Sequence, residues 1–190
     1  MTEEGEGIGK INGYPLFIKD AIIGDTVEAL VTKAGRTYAY ARLAKLLTPS
    51  PDRVTPRCPA AAACGGCQLQ AMSYPGQLRC KQQKVEGNLQ RIGGFEDLAA
   101  EPVLGMEEPW HYRNKAQYPV GRDRNGRICL GFYARHTHDI IETPVCYLGD
   151  PVNERILAIV REWMRSRGIL PYDEKTGNGL IRHVLIRTAQ

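Results

Sequence analysis

The stretch CPAAAACGGCQLQ, residues 58–70, places three of the six cysteines of this 190-residue chain within ten residues. The spacing is Cys58-x5-Cys64-x2-Cys67, and the two glycines inside the last pair let the backbone wrap closely around whatever the sulfurs hold. In a reducing compartment such a cluster holds a metal more often than it forms disulfides. Three thiolates therefore predict a metal site that needs a fourth ligand.

The fourth ligand must come from Cys80, Cys129 or Cys146. Cys80 lies in a predicted helix and Cys129 in an apolar predicted strand, where a thiol commonly serves as a small buried hydrophobe. Cys146 follows Thr143-Pro-Val in an irregular stretch just before a predicted helix, so its thiol can point freely at a cluster. We therefore choose Cys146 as the fourth ligand.

The nature of the bound group is open to several interpretations. A structural zinc usually uses two short knuckles or histidines, and only one such knuckle exists here. A radical enzyme would leave one iron open, whereas four cysteines close the site. The residue pattern favours a fully ligated iron-sulfur cluster over zinc. A zinc-bearing RNA-binding module and an iron-sulfur redox protein remain as alternatives.

Composition limits the class of protein. The hydrophobic content of 43% is enough to bury a core, and no run of 18 apolar residues predicts a membrane span. The N-terminus MTEEGEGIGK is acidic and glycine-rich, which differs from a signal peptide. We therefore expect a cytoplasmic protein that does not associate with membranes.

Positive charge is concentrated in one segment. The whole chain has a net charge of +4, and the segment from Trp110 to Ile140 contains six Arg or Lys residues and only two acidic residues. Tyrosines and a phenylalanine interleave with these cations, and such a mixture suits phosphates and unstacked bases of folded or single-stranded RNA. We predict RNA contacts by six residues: Arg113, Lys115, Arg122, Arg124, Arg127 and Arg135. Lys10, Lys33, Arg36 and Arg42 could extend this surface.

Residues 1–48 read as a small all-β unit of short apolar runs separated by turn residues, which predicts a β barrel that leaves no sheet edge open. Thr48-Pro-Ser-Pro51 then predicts a linker. Residues 49–190 form the second predicted domain, of α+β class. Its last predicted strand, Leu180 to Thr188, ends abruptly, so we expect the domain to continue beyond residue 190.

Helices and a hairpin are predicted inside the second domain. Tyr74 to Ile92 shows helical spacing of Leu78, Val85, Leu89 and Ile92, and two glycines follow. Asn125-Gly126 between two apolar runs predicts a hairpin turn. Asp150-Pro151 predicts the start of a helix that runs through Arg167. The apolar stripe of this helix is Val152, Ile156, Ile159, Val160 and Trp163.

Taken together, several motifs resemble the RNA uracil-5-methyltransferases, in particular those that modify large-subunit (23S) ribosomal RNA. The motifs are Ser50-Pro-Asp-Arg-Val-Thr-Pro-Arg-Cys58, Cys64-Gly-Gly-Cys67-Gln-Leu-Gln70, Tyr112-Arg-Asn-Lys115 and Cys146. Gly5-Glu-Gly-Ile-Gly-Lys10 and Ile23-Gly-Asp-Thr-Val27 resemble the TRAM domain, a small RNA-binding barrel. The resemblance covers nearly the whole chain.

The resemblance implies a TRAM barrel of OB-like type followed by an α+β iron-sulfur domain. Cys58, Cys64, Cys67 and Cys146 would hold a 4Fe-4S cluster that shapes the domain and takes no part in catalysis. The family transfers a methyl group from S-adenosylmethionine to uracil C5, after a cysteine thiolate has added to C6. We expect the Rossmann-like domain that performs this step to be absent, so we assign no catalytic or S-adenosylmethionine-binding residue to this chain.

The resulting expectation is the RNA-recognition, N-terminal half of a ribosomal RNA uracil-5-methyltransferase, inactive on its own. Ribosomal RNA is the expected partner, and we expect a monomer. A transfer-RNA uracil-5-methyltransferase is the alternative inside the family. Because uracil chemistry requires the target base to leave its stack, the bound RNA should be a loop rather than continuous duplex.

Overall fold

The computed structural model describes residues 1–189. The chain forms two compact units, each built from two separate stretches. The first unit comprises Met1–Pro56 and Gln68–Glu107, and the second comprises Arg57–Cys67 and Glu108–Gln190. The cysteine loop, residues 58–67, thus belongs to the same unit as the basic segment, residues 110–140. The domain boundary predicted at residue 48 stays a prediction.

The first unit contains a four-stranded mixed sheet in the order β1-β2-β4-β3. Its strands are β1 (Gly7–Ile11), β2 (Tyr14–Lys19), β3 (Thr26–Ala34) and β4 (Ala39–Thr48). β1 and β2 form a hairpin whose turn residues, Asn12 and Gly13, both have positive φ. β2 pairs with β4 in parallel, and β3 pairs with β4 antiparallel. β1 lies outside the strand pattern that the sequence predicted.

The closed barrel predicted for residues 1–48 is wrong. β4 lies between β2 and β3, so β1 and β3 are the outer strands of the sheet that the described residues form. A barrel would require these two outer strands to pair with each other. Alternating apolar residues give strands but leave their order open, and closure therefore could not be read from the pattern.

One face of this sheet forms the core of the first unit. Leu16 and Ile18 on β2 and Ala41 on β4 are buried together with Ala21. Successive side chains on a strand point to opposite faces. Phe17 and Tyr40, which are partners in the β2/β4 register, therefore share the other face.

An ion pair fastens the end of the first sheet. The side chain of Asp25 is fully shielded from solvent and accepts hydrogen bonds from the backbone amides of Ile22 (2.8 Å) and Ser50 (3.0 Å). Arg53 Nε donates to Asp25 Oδ1 at 2.9 Å. The predicted linker around residue 50 is thereby tied to the turn before β3.

α1 (Tyr74–Arg91) begins after Ser73, whose hydroxyl accepts a hydrogen bond from the Gly76 amide at 3.2 Å. Gly76 is buried, and a Cβ there would lie 2.8 Å from Cγ of Asp52. The predicted helix is confirmed within one residue. Its predicted apolar face is not a core face, because Val85 and Ile92 are exposed.

The second unit contains an antiparallel sheet in the order β7-β6-β5-β8. Its strands are β5 (Lys115–Arg122), β6 (Ile128–Tyr133), β7 (Ile140–Glu142) and β8 (His183–Arg187). The predicted hairpin turn is confirmed, since Gly126 has φ +77° between β5 and β6. A Cβ on Gly131 would lie against the carbonyl oxygen of Ile141, so only glycine allows β6 and β7 to approach here.

α2 (Val152–Ser166) packs on this second sheet, and Asp150 Oδ1 accepts a hydrogen bond from the Val152 amide at 2.9 Å. The predicted stripe is wrong in part, because Ile159 and Trp163 are exposed. The face toward the core is rotated and uses Leu157 and Met164, flanked by partly buried apolar residues. The buried core cluster is Ala116, Tyr118, Val120, Leu130, Leu157, Met164 and Ile186.

Candidate functional site

The cysteine loop packs against the end of β6 in the second unit. The Gly65 amide donates to the Tyr133 carbonyl at 2.8 Å, and Cys64 forms a bridge with Ala134. A Cβ on Gly65 would lie 2.8 Å from the same Tyr133 oxygen. The glycine after Cys64 is therefore required for the loop to reach the strand.

The predicted ligands lie near one another around Cys64, which is buried. Burial raises the pKa of the Cys64 thiol, a hydrogen bond from the Gly66 amide at 3.3 Å opposes this, and the thiols of Cys67, Cys58 and Cys146 raise it further. Cys146 is thus within range of a charge effect on Cys64, and its place in the ligand set stays a prediction.

A cation between two aromatic rings joins the two cysteine-bearing segments. The guanidinium of Arg57, next to Cys58, lies 4.6 Å from the ring centroid of Tyr147 and 5.1 Å from that of Trp110. Tyr147 follows Cys146 directly. Cation-π contacts of this kind stabilise a site by about 0.5–2 kcal/mol. We name Arg57, Trp110 and Tyr147 the Arg57 clamp.

The four thiols do not form a preformed metal site in the described part of the chain. Within residues 1–189, no group of three or more His, Cys, Asp or Glu side chains is arranged to hold a metal ion. Four thiols and a backbone amide directed at one sulfur are donors that suit a cluster held by thiolates. The assignment of Cys58, Cys64, Cys67 and Cys146 as ligands therefore stays a prediction.

The other two cysteines have different surroundings. Cys80 lies on α1 in the first unit, whereas all four predicted ligands belong to the second. Cys129 is buried on β6, with its sulfur 4.0 Å from the Ile140 carbonyl oxygen. Burial raises the pKa of the Cys129 thiol, which is consistent with a small core residue.

The six predicted RNA-binding cations do not share one surface role. Arg135 donates from its guanidinium to the Cys67 carbonyl at 2.8 Å and so supports the cysteine loop. Arg127 pairs with Asp123 at 2.9 Å, and Arg122 donates to the Gly126 carbonyl. Arg113 forms an isolated bridge with Gly149 before β5, Lys115 is the first residue of β5, and Arg124 lies in the β5/β6 turn. Contact with RNA by these residues stays a prediction.

The sequence analysis missed an aromatic cluster on the open face of the first sheet. Phe17, Tyr38 and Tyr40 have ring centroids 5.6–5.7 Å apart, and both tyrosines are exposed. Lys19 and Arg42 are register partners two residues further along the same two strands, and so on the same face. We name Phe17, Tyr38, Tyr40, Lys19 and Arg42 the aromatic-basic face.

The sequence contained a signal for this face. Large residues alternate with alanines in Tyr38-Ala39-Tyr40-Ala41-Arg42, which separates an aromatic face from a small-residue core face. What the pattern could not supply was the parallel pairing of β2 with β4 that adds Phe17. Exposed rings beside cations are chemically suited to stack unpaired bases and to bind the neighbouring phosphates.

Comparisons with known proteins agree with this chemistry. Residues 2–44 match the TRAM domain family. Along 100% of its length the chain is 45% identical to an uncharacterized RNA methyltransferase of Clostridium tetani and 42% identical to one of Bacillus cereus. The chain spans 41% of the length of both relatives.

A solved structure shares the fold. The tRNA (uracil-54, C5)-methyltransferase of Pyrococcus abyssi, in complex with S-adenosyl-L-homocysteine, matches 98% of this chain with a TM-score of 0.65 and 22% identity. The match covers 43% of that protein. No helix within residues 1–189 is both long and apolar enough to cross a membrane.

The predicted fold class is therefore wrong. We expected a closed barrel, an α+β iron-sulfur domain and a Rossmann-like domain outside the chain. The described residues instead form two units with one four-stranded sheet each, and the solved methyltransferase matches 98% of this chain over 43% of its own length. Short strands and a cysteine motif do not determine how sheets are ordered or completed. Over its whole length this chain is therefore similar to RNA methyltransferases, its residues 2–44 match the TRAM domain, and it shares a fold with a tRNA uracil-5-methyltransferase.

Proposed function

We propose that this chain recognises RNA for a methyltransferase that transfers a methyl group from S-adenosylmethionine to uracil C5, with ribosomal RNA as its substrate. The observation that supports the proposal is the aromatic-basic face of the first sheet. Its three rings contact one another, and its two cations are register partners beside them.

The chemistry of this face favours unpaired RNA. Each base stacked on an aromatic side chain contributes about 1–3 kcal/mol, and any base can stack because every base has a flat aromatic surface. Bases in a duplex cannot reach the rings. Methylation of uracil C5 likewise requires an exposed base, so binding and chemistry select the same kind of RNA segment.

The RNA-binding role can be tested on the face itself. Replacing Phe17, Tyr38 and Tyr40 by alanine should weaken binding of a single-stranded oligoribonucleotide by at least about tenfold, as measured by fluorescence anisotropy. Ile11→Ala is the matched control, because Ile11 is exposed on β1 but points to the opposite face. Equal affinity of the triple variant and the control would contradict the proposal.

Charge on the same face gives a second measurement. Lys19→Gln with Arg42→Gln should lower the slope of log affinity against log salt by about 1.4 units, if each cation contacts one phosphate of a single strand. The tyrosine and phenylalanine variants should leave that slope nearly unchanged. If the double variant has the same slope as the unmodified protein, the two cations do not contact phosphates and are only solvated surface charges.

A transfer RNA is the second candidate substrate, and the similarity to the Pyrococcus abyssi tRNA methyltransferase favours it. The two candidates differ in a cellular test. In a strain that lacks the protein, 5-methyluridine measured by mass spectrometry should disappear from large-subunit ribosomal RNA and persist in transfer RNA. Loss from transfer RNA alone would support the second candidate, and no loss from either would contradict both.

For the cysteines, we propose that Cys58, Cys64, Cys67 and Cys146 hold a 4Fe-4S cluster. The support is the burial of Cys64, its interaction with the other three thiols and the Gly66 amide directed at its sulfur. Such a cluster, when bound, supplies cross-linking between distant segments. Arg57 and Arg135 position the same segments through the Tyr147 ring and the Cys67 carbonyl.

Iron content tests this ligand set. Anaerobically purified protein should be brown and contain about four irons per chain. Cys146→Ser should release the iron, whereas Cys129→Ser and Cys80→Ser serve as matched controls that should retain it. A colourless protein with one zinc, or iron loss from Cys80→Ser, would overturn the assignment.

A further inference from the structure

The second unit contains a cleft of about 900 Å³ that the proposed function does not use. We propose that this cleft binds one unpaired RNA nucleotide together with its neighbouring phosphate, as a second contact for the RNA held by the aromatic-basic face. The inference rests on the proposed RNA-binding function. The walls of the cleft are the end of β5, the segment that joins β6 to β7, and residues 171–175.

Aromatic rings line two walls of the cleft. The Tyr133 and His138 rings are stacked, with centroids 5.1 Å apart and an interplanar angle of 24°. On another wall, the Arg182 guanidinium lies 5.5 Å from the ring centroid of Tyr172. His138 is largely exposed, so its outer ring surface is available for a base. Flat rings and a guanidinium plane are the usual partners of an unstacked RNA base.

A carboxylate holds these stacking groups in place. Glu174 accepts hydrogen bonds from Arg182 at 2.7 Å and from His138 Nδ1 at 3.2 Å. The hydrogen bonds from Arg182 and then His138 lower the pKa of Glu174, so the group is ionised at neutral pH. An ionised carboxylate has further acceptor sites, which suit the N–H groups on the edge of a base.

Cationic side chains line the cleft together with the aromatic rings. Arg122, Arg124 and Lys175 line the cleft, and Arg124 and Lys175 are exposed. Four carboxylates also line it: Asp123, Asp139, Asp173 and Glu174. Arg127 and backbone amides engage Asp123, the Lys175 amide donates to Asp173, and Arg182 and His138 engage Glu174, whereas Asp139 is exposed. The volume falls within the range of about 300–1,000 Å³ found for ligand pockets, which is sufficient for a nucleotide.

Stacking in the cleft can be tested with a histidine pair. In the full chain, His138→Ala should weaken binding of a single-stranded oligoribonucleotide by about tenfold. His136→Ala is the matched control, because His136 is also exposed and lies two residues away but does not line the cleft. Tyr172→Leu, which keeps apolar volume but removes the ring, should have an effect similar to His138→Ala. Unchanged affinity in both cleft variants would overturn the inference.

The phosphate contact gives an independent readout. Arg124→Gln with Lys175→Gln should lower the salt slope by about 1.4 units if each cation meets one phosphate. Arg155→Gln, an exposed arginine on α2, should not change it. If the slope equals that of the unmodified protein, these cations do not contact phosphate and the phosphate part of the proposal is wrong.

Two further comparisons distinguish failure of the cleft inference from failure of the proposed RNA-binding function. If the cleft variants bind RNA normally while the Phe17, Tyr38 and Tyr40 variant does not, the cleft inference is wrong and the proposed function stands. If the unmodified chain binds no RNA, both are wrong. Uridine monophosphate should compete far more weakly than the oligoribonucleotide, and equal competition would identify a mononucleotide pocket instead of an RNA subsite.

Discussion

The two sheets have the same number of strands, but their cores differ. The second sheet packs on α2 and fully buries the large side chains of Tyr118, Leu130 and Met164. The core of the first sheet consists of Leu16, Ile18 and two alanines, and the Asp25–Arg53 pair fastens its end. Apolar volume therefore carries more of the stability in the second unit, whereas a shielded ion pair supplements a small core in the first.

The largest effect is expected from the core of the second sheet. Leu130→Ala should lower the free energy of unfolding of the second unit by about 3 kcal/mol, because the side chain is almost completely buried. Both tryptophans of the chain, Trp110 and Trp163, belong to this unit, so tryptophan fluorescence in denaturant measures it selectively. Leu185→Ala, at an exposed position on β8, is the control and should cost less than about 1 kcal/mol.

The ion pair of the first unit should be nearly as important. Asp25→Asn should destabilise that unit by about 3 kcal/mol, since Arg53 and two backbone amides lose a charged acceptor. Limited proteolysis should cut residues 1–56 faster, while the tryptophan transition stays unchanged. Asp123→Asn removes the partner of Arg127, whose side chain is exposed, and should destabilise its unit much less than Asp25→Asn destabilises the first. Equal effects of the two substitutions would contradict the comparison between the units.

A smaller effect should appear in acid. Burial alone would raise the pKa of Asp25, but hydrogen bonds from Arg53, Ile22 and Ser50 outweigh it and lower that pKa. The stabilisation is therefore complete above the ordinary aspartate pKa of about 3.9 and is lost as pH falls through the lowered folded-state value. Proteolysis of the first unit should accelerate in that range, and Asp25→Asn should show a shallower acid dependence. If Asp25→Asn and the unmodified protein show the same acid dependence, protonation of Asp25 is not its cause.

The smallest effect is expected at the Arg57 clamp. Arg57→Gln should cost about 1 kcal/mol in the second unit, because contacts with the rings of Trp110 and Tyr147 are lost. The emission of Trp110 should change in the folded protein, which a distant substitution would not cause. Arg155→Gln on α2 is the control. An unchanged emission spectrum would show that Arg57 does not rest on Trp110 in solution.

Local patterns predicted the elements that depend on neighbouring residues. The helix at residues 74–91 was predicted from apolar spacing and the glycines that follow it, and the Gly126 turn from turn chemistry, all within a few positions. The buried face of α2 was not predictable in the same way. Ile159 and Trp163 are as apolar as Leu157 and Met164, and only packing against the sheet decides which pair is buried.

The candidate sites show the same division. The sequence identified the cysteine loop and proposed Cys146 as its partner, and in the structure the Cys146 thiol contributes to the raised pKa of Cys64, while the ligand set stays a prediction. It identified the basic segment but could not separate Arg135, which supports the cysteine loop, from Arg124, which lines the cleft. Charge along a chain does not reveal which partner each guanidinium meets after folding.

The sequence by itself determined three of the four strands of the first unit, the alternation that separates its two faces and the family resemblance, because these depend on residue type and spacing. Tertiary structure alone decided that β4 pairs with β2 in parallel, which brings Phe17 beside Tyr40. It also decided that residues 133, 138, 172 and 182 meet around one cleft. Strand order and long-range contacts arise from the balance of burial and pairing over the whole chain, and no local pattern encodes that balance.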